Sequence, residues 1–225
     1  YRQITRDALF PVRQVPSSGN WGDQIENVGK IRNSGVELDV NGTIVRNPSL
    51  IWDLGFSLAT NFSEALDLGD APSFEVGSGA YIEEGQPVPV LRGPKVQNPD
   101  EQADPVYEEN YFGPNLPTHT ARLNTRLEFL GGFVFRALGE FMGGHYINDL
   151  NTEGKITRAQ ESWPTCLGTF DQAEEQGFES LTALQRSRCL ASQARDDSFI
   201  HPADFFKLRQ VSLAVPLESL VSAVD

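Results

Sequence analysis

Apolar and polar residues alternate along several segments of the chain with the period of two that is typical of β-strands. The clearest run begins at Ser34, and as far as Val40 its even positions are apolar and its odd positions polar or glycine. A tight-turn sequence, Asn47-Pro48-Ser49, follows. Beyond the turn a second run again carries its apolar residues at even positions. The apolar residues of the two runs are Val36, Leu38 and Val40, then Trp52, Leu54, Phe56 and Leu58.

These two runs predict an antiparallel hairpin closed by Asn47-Pro48-Ser49. Setting Val40 opposite Phe56 brings the apolar faces of both strands together. The same register sets Ile44 opposite Trp52. The other face of the hairpin is polar, and its charged residues are Glu37, Asp39 and Asp53.

A second hairpin is predicted around Gly131-Gly132, between alternating runs at 121–129 and 133–141. A loop of residues 130–132 would set Arg122 opposite Glu140. A loop one residue later would instead set Glu128 opposite Arg136, and the sequence leaves both registers open. The polar face of this hairpin carries Arg122, Asn124, Arg126, Arg136 and Glu140. Two more strands are predicted at 1–10 and 204–215.

The connections between the predicted strands are very unequal in length. Each hairpin turn takes a few residues, whereas 63–117 and 147–203 are long connections rich in Gly, Pro and acidic residues. Loops beyond about 15 residues are uncommon in compact soluble domains. Short turns on one side and long loops on the other are typical of an outer-membrane β-barrel. A soluble β-sandwich is the alternative, since its strands alternate in the same way.

Strand length agrees with the barrel prediction. Trp52 and Phe62 are ten residues apart near the two ends of one predicted strand. Ten residues of a strand tilted by about 45° climb roughly 23 Å. The apolar band of such a barrel is about 25 Å tall and lies between two girdles of aromatic residues.

Composition excludes several classes of function. With 18 basic and 31 acidic residues the chain has a net charge of −13, which disfavours binding to nucleic-acid phosphates. No Gly-x-Ser-x-Gly, His-Glu-x-x-His or phosphate-binding glycine loop occurs, so a hydrolytic enzyme is disfavoured. His119 and His145 are too few to form a metal site and are expected to be exposed at the loop-side rim. The two cysteines lack metal-site spacing.

Five segments resemble, in order, strands near the end of TonB-dependent outer-membrane receptors of the SusC/RagA-like branch. One of them is 27–38, Asn-Val-Gly-Lys-Ile-Arg-Asn-Ser-Gly-Val-Glu-Leu, which resembles the family pattern N-V-G-x-x-x-N-x-G-V/F-E-L, and the strength of the match is the order of several moderate motifs. Residues 1–9 resemble Y-x-K-x-T-x-D-L-L, and residues 52–61 resemble W-x-x-x-x-N-x-S-x-N. Residues 113–117 and 205–216 resemble the family's approach to the next hairpin and its F-x-K-L-R-N-V segment.

The resemblance implies an all-β fold: an antiparallel transmembrane β-barrel segment, about six strands of a larger barrel of about 22, with long extracellular loops. Residues 1–225 are then expected to be the C-terminal part of the barrel, with the plug domain and the closing strands absent from this chain. The implied function is import of large nutrients such as glycans or peptides across the bacterial outer membrane. The implied partners are a SusD-like surface lipoprotein, the TonB complex acting through the missing N-terminal region, and outer-membrane lipid. No cofactor, enzymatic activity or nucleic acid is expected.

The resemblance also gives roles to the two faces of the strands. The apolar residues Val36, Leu38, Val40, Trp52, Leu54, Phe56 and Leu58 are expected to face lipid. The polar residues face the lumen, where they line a substrate path or, more commonly, bond to a plug domain or to one another. These lumen-facing candidates are Glu37, Asp39, Asp53, Arg122, Asn124, Arg126, Arg136 and Glu140.

The oxidising compartment that the resemblance implies favours a disulfide between Cys166 and Cys189. These cysteines flank a segment that is predicted to be partly helical, with Phe178, Leu181 and Leu184 at helical spacing. Two unpaired buried thiols are the alternative.

A different class of function, a secreted carbohydrate-binding β-sandwich module, is the alternative to transport. Aromatic residues clustered on exposed loops would support it, and the long connections contain Tyr107, Tyr111, Phe112 and Trp163. Such a module would have no apolar face turned towards lipid. The unequal loops disfavour it.

Overall fold

The computed structural model describes residues 1–13, 23–27, 29–69, 71–159, 164–190 and 199–216, so that Trp163 lies outside the described residues. The described part is mostly antiparallel β-sheet, with helices only between residues 150 and 189. None of its helices has the length and apolar character to span a membrane.

The elements follow one another along the chain in sixteen strands, three α-helices and one short 3₁₀ helix within the described part. The strands are β1 (Arg2–Arg6), β2 (Leu9–Arg13), β3 (Asp23–Asn27), β4 (Lys30–Ser34), β5 (Glu37–Asn47), β6 (Leu50–Thr60), β7 (Phe62–Asp67), β8 (Phe74–Gly77), β9 (Ala80–Ile82), β10 (Val90–Val96), β11 (Tyr107–Pro114), β12 (His119–Phe129), β13 (Phe133–Gly143), β14 (Tyr146–Asn148), β15 (Ile200–Pro202) and β16 (Phe205–Ala214). The helices are α1 (Leu150–Ala159), α2 (Pro164–Gln176), the 3₁₀ helix Phe178–Ser180, and α3 (Ala183–Cys189).

The main sheet has five antiparallel strands in the order β16-β13-β12-β6-β5. Both predicted hairpins lie in it. The register of the second hairpin is the one closed by residues 130–132, with Arg122 opposite Glu140 and Phe129 opposite Phe133. The register with the later loop is therefore wrong.

The first hairpin has the predicted register over most of its length. Val40 lies opposite Phe56, as predicted, but Val45 and not Ile44 lies opposite Trp52. The prediction for the turn end is wrong by one residue because a β-bulge at Ile44 leaves that residue unpaired. The turn itself is held by the Asn47 side chain, whose Oδ1 accepts hydrogen bonds from the backbone N–H groups of Ser49 and Leu50.

A smaller sheet continues the first hairpin beyond its open end. This sheet has the order β1-β4-β7, and β4 leads directly into β5 while β6 leads directly into β7. Asn33 lies opposite Ser63 and Glu37 opposite Ala59, so the pairing keeps one register across the junction. The two long strands therefore keep the same two faces from one sheet into the next.

The long connections are more structured than the sequence predicted. The connection 63–117 contains the end of β7 and the four-stranded sheet β11-β10-β9-β8, and 147–203 contains three helices and part of the β14–β15 pair. The long connections are therefore not irregular loops, and strands β8 to β11 lie within them in addition to the strands that alternation predicted. The predicted strand at 1–10 is also interrupted, because Asp7 adopts a left-handed backbone conformation (φ 54°) between β1 and β2.

The buried core lies on this loop side of the molecule. Among the described residues, three small clusters contain buried apolar side chains, built around Cys166 and Phe199, around Ala65 and Leu68, and around Leu91. The five-stranded sheet contributes none of the buried hydrophobic residues in the described part. The main sheet is thus a two-faced layer, and packing occurs beyond one end of it.

Candidate functional site

The apolar face of the main sheet is open to its surroundings. Val36, Leu38, Val40 and Phe56 have exposed fractions of 63%, 47%, 53% and 37%, while Trp52, Leu54 and Leu58 are half-buried by their neighbours in the sheet. Across the sheet the same face continues through the exposed residues Leu123, Phe141, Phe206, Leu208, Val211 and Leu213. This contiguous apolar surface extends over five strands, whereas soluble monomeric proteins mostly expose apolar residues singly or in small patches.

The polar face is organised around Glu140. Its side chain is only 6% exposed, and its two oxygens accept hydrogen bonds from Arg122 Nε at 3.0 Å and from Arg209 Nε at 2.5 Å. One carboxylate therefore joins three neighbouring strands, β12, β13 and β16. Charge-assisted hydrogen bonds of this kind are the strongest that side chains form.

Arg209 was missing from the sequence-based candidates. It lies where a β-bulge shifts the pairing between β13 and β16, since Leu138 lies opposite Gln210 but Gly139 lies opposite Leu208. The sequence does contain a signal for this bulge. The apolar residues of β16 change from even positions, Phe206 and Leu208, to odd ones, Val211 and Leu213.

A second charged cluster lies nearer the short turns. Asp53 accepts hydrogen bonds from Thr43 Oγ1 at 2.7 Å and from Arg126 Nη1 at 3.2 Å. Arg126 also donates to Glu128 at 2.5 Å. Register explains this cluster, because Asp53 lies opposite Thr43 on one side and opposite Arg126 on the other.

The amide and hydroxyl groups of the polar face bond locally. Asp39 accepts hydrogen bonds from Ser57 Oγ at 2.6 Å and from the Asn41 side chain. Gly55 leaves room for the side chains of Asn41 and Asn124, since a Cβ atom at this position would overlap Asn41 Oδ1 and Asn124 Nδ2.

Two of the lumen-facing candidates stand apart from these clusters. Glu37 and Arg136 are exposed, and within the described residues neither belongs to an ion pair. Arg136 lies opposite Arg126 in the sheet, so its nearest cross-strand charge has the same sign. Of the eight candidates, the structure therefore joins Arg122 to Glu140 and Arg126 to Asp53.

We expect Glu140→Ala to lower the temperature at which the folded sheet of the intact protein unfolds, because two arginines lose their shared carboxylate. Heat-modifiable migration on a gel measures this temperature. The matched control is Glu37→Ala, which removes an exposed carboxylate from the same face. Equal shifts in the two variants would contradict a special role for Glu140.

Cys166 and Cys189 form a disulfide on the loop side. Their Cα atoms are 5.4 Å apart, within the usual range for a disulfide. The bond links α2 to the end of α3, and both cysteines are buried against Phe199. Of the residues at predicted helical spacing, Phe178 and Leu184 lie in different helices and Leu181 lies between them.

Arg186 attaches this disulfide-linked segment to the other long connection. Its side chain is 3% exposed, and Nη1 lies 2.9 Å from Asp104 Oδ1. The guanidinium also donates to the carbonyl oxygens of Leu181 and Phe178 and stacks on the Phe178 ring at 4.4 Å. Sequence reasoning missed this residue, because its partners are distant in the chain or are backbone atoms.

Other charged groups on the loop side also have defined partners. The side chain of Asp149 caps the start of α1, where hydrogen bonds from the Thr152 hydroxyl and backbone N–H hold the pKa of Asp149 below its ordinary value. A hydrogen bond from Tyr111 to the Glu83 carboxylate raises the pKa of that tyrosine. Glu83 is also paired with Arg92 at 2.5 Å.

The two histidines differ from each other in exposure. His119 is exposed, with its ring 5.6 Å from that of Phe62. His145 is buried, so the expectation of an exposed rim residue is wrong for it. The chain folds over this position through the β14–β15 pair, and the His145 carbonyl accepts a hydrogen bond from the Ala203 N–H. No group of three or more His, Cys, Asp or Glu side chains in the described part is placed to hold a metal ion.

A cleft of about 510 Å³ opens where the smaller sheet meets the loop side. Its polar lining includes Arg32 and Glu64, which form an ion pair. Its apolar lining includes Phe62, Val88 and Leu116. The cleft therefore lies just beyond the end of the apolar face.

The chain shares sequence with curated receptors. TonB-dependent receptor P39 of Formosa agariphila is 32% identical over 95 residues, which are 42% of this chain and 9% of that receptor. TonB-dependent receptor P3 of the same organism is 25% identical over 168 residues, 71% of this chain and 14% of that receptor. The chain thus spans only about a tenth of the length of these relatives. No protein-family model matches it.

Solved structures share the fold. The structure of the RagAB peptide transporter superposes with a TM-score of 0.75 at 17% identity, covering 94% of this chain and 26% of that one. The RagAB peptide importer in its 'open-open' state superposes with a TM-score of 0.65 at 17% identity, covering 94% of this chain and 25% of that one.

Proposed function

The chain is homologous to TonB-dependent receptors, and we propose that it forms part of the barrel wall of an outer-membrane transporter that imports large nutrients. The observation that carries this proposal is the distribution of apolar groups. The main sheet exposes a continuous apolar face, while the buried apolar clusters of the described part lie beyond one end of the sheet. A lipid bilayer would cover the exposed apolar face of the main sheet. The buried clusters instead shield their apolar side chains from water, as the core of a water-soluble segment does.

The dimensions of the sheet support membrane insertion. Four of its five strands have 11 residues and β16 has 10, which agrees with the 9–11 residues of a tilted transmembrane strand. A closed barrel leaves no unpaired edge in lipid. We therefore propose that residues 1–225 form the C-terminal part of a receptor barrel, which further strands and a plug domain complete.

The two ends of the sheet suggest its orientation. The turns at 48–49 and 130–132 are short, as on the periplasmic side of such barrels, and the structured connections lie at the other end, as on the extracellular side. We assign the disulfide-linked segment to the extracellular side, where it is placed to meet a substrate. A SusD-like surface lipoprotein is the proposed partner there, and the TonB complex is proposed to act through the plug domain.

The polar face has the charge pattern of a barrel interior. Its carboxylates and arginines satisfy one another in the Glu140 and Asp53 clusters, which supports a mainly structural role. Glu37 and Arg136 are exposed and are the lumen-facing residues most available to a plug domain or a passing substrate. Peptides and glycans are both within the proposed substrate class.

A carbohydrate-binding β-sandwich explains the structure less well. A sandwich would bury the face of Val40 and Phe56 against a second sheet, and in the described part these residues are exposed. Of the aromatic residues that favoured a sandwich, Tyr107, Tyr111 and Phe112 lie in strand β11.

Deleting the gene for the intact receptor tests the proposal. We expect mutant cells to lose growth on large peptides or on large glycans while growing normally on their monomers. The native gene should restore growth only in cells with an active TonB complex, and the protein should fractionate with the outer membrane. Recovery of the protein in the secreted soluble fraction, or unchanged growth on both nutrient classes, would refute it.

A further inference from the structure

Basic residues gather on one face of the smaller sheet β1-β4-β7. Arg2 lies opposite Ser34, Ile4 opposite Arg32 and Arg6 opposite Lys30, so the side chains of these pairs share a face. The four basic residues of this face, which we call the basic patch, are Arg2, Arg6, Lys30 and Arg32. Such a cluster is unexpected in a chain with a net charge of −13.

The basic patch continues the apolar face. The pairing of the two long strands keeps one register from Arg32 opposite Glu64 to Val40 opposite Phe56. Arg32 is therefore on the same face as Val36, Leu38 and Val40, beyond the end of the apolar band. If that band lies in lipid, as the proposed function requires, the basic patch faces the membrane and not the lumen.

The height of the patch matches the lipid headgroups. Phe62, which is exposed and pairs with Ser34, marks the loop-side end of the apolar band. Arg2 lies at that level, and Arg32 lies two residues further along the strand, or about 5 Å higher for a strand tilted by about 45°. Arg6 and Lys30 lie four residues further, or about 9 Å higher. The headgroup layer is about 5–8 Å thick on each side of the hydrocarbon, so the backbone of Arg2 and Arg32 lies within it, and that of Arg6 and Lys30 lies at its outer boundary, where a long basic side chain can extend back to the phosphates.

Half of the positive charge in the patch is not neutralised within the described residues. Arg32 is paired with Glu64, and Lys30 with Asp67 at 3.0 Å. Arg2 and Arg6 are exposed, and no described carboxylate pairs with either. Four residues of strand separate them, or about 13 Å. Two arginines at this spacing can each contact a phosphate group.

We propose that the basic patch binds the phosphate groups of anionic lipids in the outer leaflet, with Arg2 and Arg6 as the principal contacts. The occupant is a membrane lipid because the charge lies directly above a lipid-facing surface and on the same side of the sheet. The cleft beside Arg32, with Phe62 and Leu116 in its lining, is placed to receive an apolar or sugar portion of the same lipid. This inference rests on the proposed membrane location.

Native mass spectrometry of the intact receptor tests this proposal. The receptor is released from nanodiscs of phosphatidylcholine with or without phosphatidylglycerol, and the lipids that remain bound are counted. Arg2→Gln/Arg6→Gln should bind phosphatidylglycerol about 30-fold more weakly, since each basic residue near an anionic lipid surface contributes about five-fold. Lys95→Gln, which removes an exposed charge from β10, should bind as the native receptor does.

The controls separate this proposal from its rivals. Arg2→Lys/Arg6→Lys should retain most of the binding, because the charge remains. Competition by excess inorganic phosphate at constant ionic strength would indicate a free-phosphate site. Unchanged lipid retention in the Gln variant would show that Arg2 and Arg6 do not hold the lipid. Either result overturns the proposal. The outer-membrane fraction and heat-modifiable folding of each variant are measured separately, so a failure of the membrane assignment is distinguishable from a failure of lipid binding.

Discussion

Replacing Phe56 by arginine is expected to remove most of the folded receptor from the outer membrane. Phe56 lies at the middle of β6, between Val40 on one neighbouring strand and Leu123 on the other. Its side chain is on the exposed apolar face. An arginine near the bilayer midplane of a barrel costs about 2–4 kcal/mol, and it would be present at the stage when the barrel inserts.

The adjacent residue provides the control for Phe56→Arg. Ser57 points to the opposite face and bonds to Asp39, so Ser57→Arg places the same charge beside a carboxylate and away from lipid. The measurement is the amount of heat-modifiable, folded receptor in the outer-membrane fraction. Normal levels for Phe56→Arg, or equal losses for both variants, would contradict the assignment of the apolar face to lipid.

Removing the disulfide with Cys166→Ser is expected to weaken substrate capture more than it reduces the amount of folded barrel. Closing a loop of this length stabilises it by about 3.5 kcal/mol in the chain-entropy model. The bond links α2 and α3 and does not touch the five strands of the main sheet. Without it, binding has to order a looser segment and affinity falls accordingly.

Binding by the purified receptor and its level in the membrane are measured together for the disulfide variants. Cys189→Ser and the double variant should behave as Cys166→Ser does, because each removes the same bond. If folded receptor falls as much as substrate binding, the bond is needed for folding and has no separate role in capture. Hydrogen exchange in 164–190 should increase in all three variants.

Much of the main sheet could be predicted from local sequence. Alternation identified the faces of β5 and β6, and the pairing of Val40 with Phe56 followed from matching these faces. The predicted pairing and facing of residues failed where a single bulged residue shifts the alternation of apolar and polar positions. Ile44 is bulged out of β5, and the bulge in β16 turns Arg209 towards Glu140. A bulge exchanges the two faces of a strand for every residue beyond it.

The loop side was much less predictable. Strands β8 to β11 are short and contain glycine, proline and charged residues, so no strong alternation marks them. Nothing in the local sequence distinguishes Arg186 from an exposed arginine of a polar helix. Its burial and its ion pair depend on Asp104, which is 82 residues away in the chain. His145 is likewise buried beside a strand pair, β14–β15, that joins segments more than 50 residues apart in the chain.

Local sequence is sufficient to assign residues to the apolar and polar faces of the long strands and to locate the short turns. These properties depend on neighbours one to four residues away, since alternation and turn chemistry are local. Four features emerge only from the three-dimensional fold: the register of the second hairpin, the bulges, the sharing of Glu140 by Arg122 and Arg209, and the folding of the long connections into a loop-side core. Those features depend on contacts between distant segments, whose energies exceed the weak local preferences of the chain.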